Sequence, residues 1–138
     1  MKIVKETPGD GGAALRAALD AREDFRVGRK NFTGRKVHPF YGPTTVGALP
    51  EPYKAELFYA RVDFVVFSYA TPIAWHDSVT GLWRSPSVRY SLTTTEHQGA
   101  FRVAMRDLWQ RVDTFGPEVN IRKGLGTGVG AFGPGWQS

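Results

Sequence analysis

The chain of 138 residues contains no cysteine, which excludes a disulfide framework and any metal site built from thiolates. Long apolar runs are absent as well, since a run such as Phe64–Phe67 is far too short to cross a bilayer. The first twelve residues carry charges and glycines where a secretory signal needs an apolar segment. We therefore expect a cytoplasmic protein with no membrane partner.

Cofactor motifs are equally scarce. The chain has no GxxxxGK[ST] phosphate loop, and the GxGxxG pattern that begins at Gly128 is followed by only five residues, too few for the helix of a dinucleotide site. None of the three histidines, His38, His76 and His97, stands at the i, i+4 or HxH spacing of a metal site. We predict no cofactor and no metal.

Positive charge is concentrated near the N-terminus. The net charge is +5, and residues 1–36 hold nine basic and five acidic residues. Within residues 25–36 no acid occurs, and the five bases there are Arg26, Arg29, Lys30, Arg35 and Lys36. Such a cluster attracts phosphates or acidic protein surfaces, so we predict a nucleic-acid or acidic-partner site. The alternative is a solvated basic loop that binds nothing.

The middle of the chain has the pattern of a sheet. The apolar run at Val62–Phe67 predicts a strand buried on both faces, and Pro72 marks a bulge or an edge. Residues 28–48 are rich in glycine and proline and are either functional or contain short strands. The other elements predicted before residue 88 are an edge strand at Met1–Lys5, a helix over 11–24 capped by Asp10, a helix in Leu49–Tyr59 and a hairpin loop at His76–Gly81.

The last third predicts a strand followed by a helix. Val88, Tyr90 and Leu92 alternate with polar residues, as in a half-buried strand. Thr95 and Gln98 form a capping box for a helix from about Thr95 to Val112. The apolar residues at helical spacing are Phe101, Ala104, Met105, Leu108 and Val112. We expect the first four of them to be buried on the sheet.

These elements predict one α+β domain over residues 1–119, with a basic N-terminal third. Its small, mainly antiparallel sheet is expected to have the C-terminal helix packed across it. Residues 120–138 form a glycine-rich tail of low complexity. If that tail is ordered, it is a possible contact between identical copies of the chain.

Hydroxyl and imidazole groups raise the question of catalysis. A small hydrolase or nuclease would use His97 as a base with a neighbouring hydroxyl such as Ser91 or Thr93. The alternative is that these hydroxyls bond to backbone groups and cap the last helix. We expect His97 to be structural, buried on the inward side of the first turn of that helix and bonded to one of those hydroxyls.

Aromatic residues on or beside the predicted sheet allow two interpretations. Tyr69, Trp75, Trp83 and Tyr90, if exposed beside the basic cluster, would suit single-stranded nucleic acid, which is held by base stacking and phosphate attraction. Aromatics at this density more often form the core of a small sheet.

Two segments, SYATPIAWHD at residues 68–77 and RYSLTTTEHQ at residues 89–98, resemble the paired motif of a family of unknown function. That family consists of small proteins of tailed phages, actinobacteria and haloarchaea. The matching positions are Ser68, Tyr69, Thr71, Pro72, Ile73, Ala74, Trp75, Tyr90, Ser91, Thr93, Thr94, His97 and Gln98. Ala70 stands where the family usually has glycine, which puts a tight turn there in doubt. The resemblance implies a phage-type context and no known activity.

The polar residues of the two motifs are expected to converge at one end of the sheet. Buried polar groups must be hydrogen-bonded, so they form either a structural network or the lining of a small site. The polar motif cluster is Ser68, Tyr69, Thr71, Trp75, Tyr90, Ser91, Thr93, Thr94, His97 and Gln98.

The function we predict is that of a small phage-type binding protein, located in the host cytoplasm if it is phage-encoded. Its partner would be a host protein or nucleic acid. The alternatives are the hydrolase or nuclease described above and a structural component of the virion.

Overall fold

A computed structural model gives the fold and describes residues 1–5, 9–39, 41–43, 45–59, 61–88, 90–106 and 108–112. The elements in chain order are β1 (Lys2–Val4), α1 (Ala13–Ala21), β2 (Phe25–Val27), β3 (Phe32–Lys36), α2 (Glu51–Tyr59), β4 (Val62–Ser68), β5 (Thr71–Asp77), β6 (Trp83–Pro86), α3 (Leu92–Met105) and β7 (Trp109–Val112). The predicted α+β class is confirmed, with a mainly antiparallel sheet and the late helix α3 against it. The predicted tail over 120–138 lies outside the described residues.

The seven strands lie in the sheet in the same order as in the chain. The pairs β1–β2 and β6–β7 are parallel, and the pairs between them are antiparallel. The strands of both parallel pairs therefore point the same way. One crossover runs through α1 and the other through α3, and each leads to the next strand on the same side within the sheet. Since such crossovers are right-handed, both helices belong on one face of the sheet. The structure has them there, in contact with one core.

The core beneath α1 and α3 joins both helices to the sheet. Leu19 of α1 and Phe101 of α3 are fully buried and belong to the same cluster as Phe64 and Trp83. Phe101, Ala104 and Met105 are buried, as the helical spacing predicts. The centre of the Phe101 ring lies 5.6 Å from that of Trp83.

The opposite face of the sheet is covered by α2 and the loop before it. Leu49, Tyr53 and Leu57 pack there with Val65 and Trp75, all nearly inaccessible to solvent. Because α1 and α3 cover one face and α2 the other, β4 and β5 are buried on both sides, as the unbroken apolar run in β4 predicts.

A close cross-strand contact fixes the start of the sheet. Phe25 of β2 stands opposite Gly34 of β3, and its ring covers the glycine. A Cβ added at Gly34 would lie 2.2 Å from a carbon of that ring. The ring is fully buried and stacks on Phe64 with 6.1 Å between centroids. Residue 34 therefore has room for the hydrogen atom of glycine and not for a methyl group.

The last helix begins and ends earlier than predicted. Ser91 is its N-cap and its hydroxyl accepts from the Thr94 N–H at 3.4 Å, so the predicted capping box of Thr95 and Gln98 is wrong. Arg106, with φ of 52°, ends the helix. Beyond it Leu108 is 40% exposed, against the expectation that it is buried, and the segment ending at Val112 is strand β7.

Two other predictions need revision. The described residues Val88, Tyr90 and Ser91 do not lie in a strand, and Leu92 is the exposed first residue of α3. The helix predicted over 11–24 is the shorter α1, because Gly11 and Gly12 both have positive φ. The edge strand at the N-terminus is confirmed, and the irregular region 28–48 contains β3. The pairing register of β4 and β5 shifts next to Pro72.

Within the part of the chain that the structure covers, no helix is long and apolar enough to span a membrane.

Candidate functional site

The two sequence motifs meet where β4 ends beside α3. Ser68, the last residue of β4, donates through Oγ to Thr94 Oγ1 at 3.0 Å and lies 2.7 Å from His97 Nδ1. Ser91 also donates to Thr94 Oγ1, at 3.2 Å. The hydroxyl beside His97 is thus that of Ser68, not the predicted Ser91 or Thr93. His97 lies in the second turn of α3, not the first.

The burial of this network opposes nucleophilic catalysis. Ser68 Oγ bonds to both Thr94 Oγ1 and His97 Nδ1, so its hydroxyl is engaged on two sides within the protein. Ser68 is only 1% exposed, so a substrate carbonyl or phosphate cannot reach its oxygen.

The remaining motif residues go to several places. Thr71 Oγ1 accepts from the Ala48 N–H at 2.9 Å and ties the loop before α2 to β5. Trp75 is fully buried under α2 on the other face of the sheet. Thr93 is exposed, and Gln98 is buried and donates to the Pro86 carbonyl at 3.4 Å. The residues of the two motifs therefore stabilise the fold at several separate places, and only some of them lie close together.

Tyr90 belongs to the packing of the sheet. It is half-buried against the core beneath α1 and α3, and its hydroxyl is buried without a hydrogen-bond partner among the described residues. Burial, followed by a smaller contribution from Tyr53, raises the pKa of Tyr90 to about 12. Tyr90 is thus a neutral structural residue rather than part of an open site.

His97 also borders an open groove of about 550 Å³, which we name the Tyr69 groove. Its ring lies between Phe32 and Tyr69, with centroid distances of 4.7 Å and 6.5 Å and nearly parallel planes. Tyr69 itself is 57% exposed. The full lining is Lys30, Asn31, Phe32, Tyr69, Thr93, Glu96, His97 and Ala100.

Tyr69 is held in an unusual backbone conformation. It occupies the β4–β5 turn with φ of 57°, and its N–H donates to the Asn31 carbonyl at 2.7 Å. The tight turn forms with Ala70 in the place of glycine because the positive φ falls on Tyr69 and not on Ala70. A bulky residue in this left-handed region costs about 1–2 kcal/mol. The bond to Asn31 places the exposed ring beside the β2–β3 turn.

The strand β3 divides the predicted basic cluster into two parts. Arg29 and Lys30 are exposed in the β2–β3 turn, and Arg26 folds towards it by donating from Nε to the Gly28 carbonyl at 2.8 Å. Arg35 and Lys36 lie at the far end of β3, about 13 Å away at strand rise. There Asp24 lies 3.7 Å from Arg35 and accepts from the Lys36 N–H.

The turn part of the cluster lies beside the Tyr69 groove. Lys30 lines the groove directly. Lys5 lies at the same end of the sheet, since the Gly28 N–H donates to the carbonyl of its neighbour Val4, but it lines a different pocket together with Asp10. Glu96 is the acidic residue of the described lining. The described lining therefore contains one cation, Lys30, and one acid, Glu96, and the exposed Arg29 lies next to Lys30 in the turn.

Residues 17–110, more than half of the chain, match the family of unknown function DUF8033. The chain belongs to this family. No curated protein and no solved structure matches it significantly. The part matched to DUF8033 runs from α1 into β7 and contains both motifs together with every residue that lines the Tyr69 groove.

The lining residues of this DUF8033 member that sequence reasoning missed are Asn31, Phe32, Glu96 and Ala100. Each lies in the groove because α3 packs over the β2–β3 turn, a contact between segments about 60 residues apart that no local pattern encodes. One feature of the sequence indicates that Tyr69 is exposed. It lies beside Ala70 between two strongly apolar strands, where the chain must form a turn. In the described ranges, no three His, Asp or Glu side chains form a group that could hold a metal ion.

Proposed function

We propose that this protein is a phage-type binding protein of the host cytoplasm that binds single-stranded nucleic acid in the Tyr69 groove and has no catalytic activity of its own. The observation that carries the proposal is the exposed Tyr69 ring beside the cations of the β2–β3 turn. Stacking on an aromatic ring combined with phosphate attraction is how proteins hold single strands.

The conformation of Tyr69 supports a role for its side chain. Asparagine or glycine would adopt a φ of 57° at lower cost. Strained residues that persist in a fold cluster at functional sites. The exposed Tyr69 ring contributes little to the core, so packing does not account for the conformational cost of its positive φ. A function of the ring at the surface does.

The aromatic partners are fewer than the four that the stacking interpretation of the sequence named. Trp75 and Trp83 are 0% and 4% exposed and cannot stack on a base. Tyr69 remains, stacked against His97, which in turn stacks on Phe32. A groove of about 550 Å³ with one exposed ring suits one or two nucleotides, so the affinity for a longer strand would depend on the cations at its rim.

A binding role agrees better with the Ser68 network than hydrolysis does. The closest hydroxyl to His97 is buried and bonded to Thr94, whereas a nucleophile must face the groove. The exposed Thr93 hydroxyl lines the groove, but among the described residues it makes no hydrogen bond to a side chain that could act as a general base.

The test is fluorescence anisotropy with a labelled single-stranded oligonucleotide. Tyr69→Asn should weaken binding about five- to 150-fold, because base stacking contributes about 1–3 kcal/mol. Tyr69→Phe should retain binding, since the ring remains. Tyr41, which is 78% exposed elsewhere, supplies the control Tyr41→Asn with unchanged affinity. Because asparagine tolerates the left-handed region, Tyr69→Asn should unfold at no lower a urea concentration than the wild type.

The basic residues are tested by salt. Each phosphate contact lowers the logarithm of the affinity by about 0.7 per logarithm of salt concentration on a single strand. Replacing Arg29 and Lys30 by glutamate should reduce that slope as well as the affinity. Equal affinity of the wild type and Tyr69→Asn would refute the proposal, as would binding that ignores salt. A host protein retained after nuclease treatment, without oligonucleotide binding, would favour the other class of partner.

A further inference from the structure

The other side of α3 borders a second groove, of about 430 Å³, which we name the Arg102 groove. It lies where β6 ends next to β7, away from Tyr69. Residues of α3 are divided between the two grooves, with His97 facing one and Gln98 the other. The lining consists of Ser87, Val88, Thr95, Gln98, Arg102 and Arg111.

Two guanidinium groups share one tryptophan at this groove. The Cζ of Arg102 lies 4.6 Å from the centre of the Trp109 ring, and that of Arg111 lies 5.4 Å from it. Cation–π attraction stabilises each arginine on the ring but leaves the two charges near each other. Burial, and then the charge of Arg111, lower the pKa of Arg102.

No carboxylate compensates this pair in the part of the chain that the structure describes. Arg102 donates from Nη2 to Ser85 Oγ at 3.1 Å and to the Pro86 carbonyl at 3.0 Å, and its Nε is buried with no partner there. Besides its contact with Trp109, the Arg111 side chain makes one hydrogen bond among the described residues, a long one of 3.5 Å from Nη1 to Ser87 Oγ. Neighbouring Arg84, in contrast, is paired with Glu56. The uncompensated positive charges of Arg102 and Arg111 therefore make the groove positively charged.

Neutral polar groups complete the lining. Gln98 is 3% exposed and its Nε2 bonds to the Pro86 carbonyl. Thr95 Oγ1 donates to the Tyr90 carbonyl at 3.4 Å, and Ser87 is exposed. Arginine guanidinium groups beside the exposed Ser87 hydroxyl match the oxygens of a phosphate group.

We propose that the Arg102 groove binds a phosphate group, either free inorganic phosphate or the phosphate of a small ester such as a nucleotide. An anion between Arg102 and Arg111 removes the repulsion between them and gives Arg111 the strong partner it lacks. The volume exceeds that of a bare phosphate ion, which leaves space for the organic part of an ester next to Val88. This site is independent of the Tyr69 groove.

Calorimetric titration with inorganic phosphate and, separately, with a nucleoside monophosphate tests the proposal. Arg111→Gln should weaken both at least about tenfold, since a hydrogen bond to a charged group contributes about 1.5–3 kcal/mol. Arg111 is exposed in an edge strand, so this variant should fold as the wild type does. Arg16→Gln removes the same charge from α1, where Arg16 pairs with Asp20, and should leave phosphate affinity unchanged.

A spectroscopic readout locates the ligand. In an amide correlation spectrum, phosphate should shift the indole N–H signal of Trp109 and leave that of Trp75, buried under α2, in place. Tighter binding of the nucleoside monophosphate identifies the ester as the ligand, and equal affinity identifies phosphate alone. Phosphate affinity that is unchanged in Arg111→Gln, or a Trp109 signal that does not move, would overturn the proposal.

Discussion

Replacing Gly34 by alanine tests the packing of the first half of the sheet with a single methyl group. The new Cβ would lie 2.2 Å from one carbon of the Phe25 ring and within 2.8 Å of two more, although carbon atoms in contact are about 3.5–4.0 Å apart. The ring cannot move to solvent because it is fully buried against Phe64. Gly34 has no positive φ, so alanine adds no backbone strain, and the cost is steric.

The expected cost of Gly34→Ala is about 3 kcal/mol, at the upper end of the range for overpacked cores. Phe25→Ala alone should cost about 3–5 kcal/mol through the cavity it leaves. In the double variant the methyl group enters that cavity, so the total should not exceed the cost of Phe25→Ala. The coupling free energy would then be about 3 kcal/mol in favour of the pair.

Urea unfolding followed by the fluorescence of the four tryptophans measures all three variants. Two outcomes would refute the reasoning. The first is a Gly34→Ala variant within about 0.5 kcal/mol of the wild type, and the second is a double variant whose cost is the sum of the single costs.

Three further predictions concern single side chains. Gly99→Ala, in the exposed middle of α3 with no atom within 4 Å of the new Cβ, should raise the free energy of unfolding by about 0.5–1 kcal/mol, and a loss in urea unfolding would contradict this. Ser68→Ala should lower it by about 1–3 kcal/mol because Thr94 loses a buried partner, and a neutral effect would show that the network contributes nothing. Burial keeps Tyr90 protonated up to about pH 12 while the unfolded tyrosine ionises near pH 10, so stability that is fully present below pH 10 should fall as the pH rises towards 12. Tyr90→Phe should remove that fall in urea titrations, Tyr41→Phe should keep it, and equal profiles would refute the assignment.

The sequence predicted best those elements whose signal is local. Val62–Phe67 has an unbroken run of β-branched and aromatic residues, and β4 is buried on both faces. Phe101 and Met105 lie one turn apart on α3 and are both buried. In each case a short pattern determines both the type of element and the buried face.

The limits of α3 were mispredicted because its start signals overlap. The segment 91–98 offers several hydroxyls with a polar residue three positions later, and only the packing of the preceding chain selects Ser91 as the cap. At the other end no glycine marks the stop, and Arg106 adopts the positive φ instead. Trp109–Val112 is a strand because β6 offers it a partner, which is a long-range effect.

The candidate site was predicted in its components and not in its arrangement. Both motifs were expected to converge, and Ser68, Thr94 and His97 lie in contact. The division of the basic cluster could not be predicted because β3 was not recognised inside the irregular region. Arg102 and Arg111 were missed since the groove between them depends on β7.

The order of the strands has a consequence for folding. The strands β4, β5 and β6 are joined by short turns, whereas β1 reaches β2, and β6 reaches β7, only after a helical crossover of about 20 residues. Closing a short loop costs less entropy, so the central meander should form first and the edges should dock last. Amide hydrogens should then exchange from the outer strands inwards. Tyr69 lies at a turn of the earliest and most persistent part, while Arg111 lies on the strand that detaches first, so a ligand in the Arg102 groove would slow the opening of that edge.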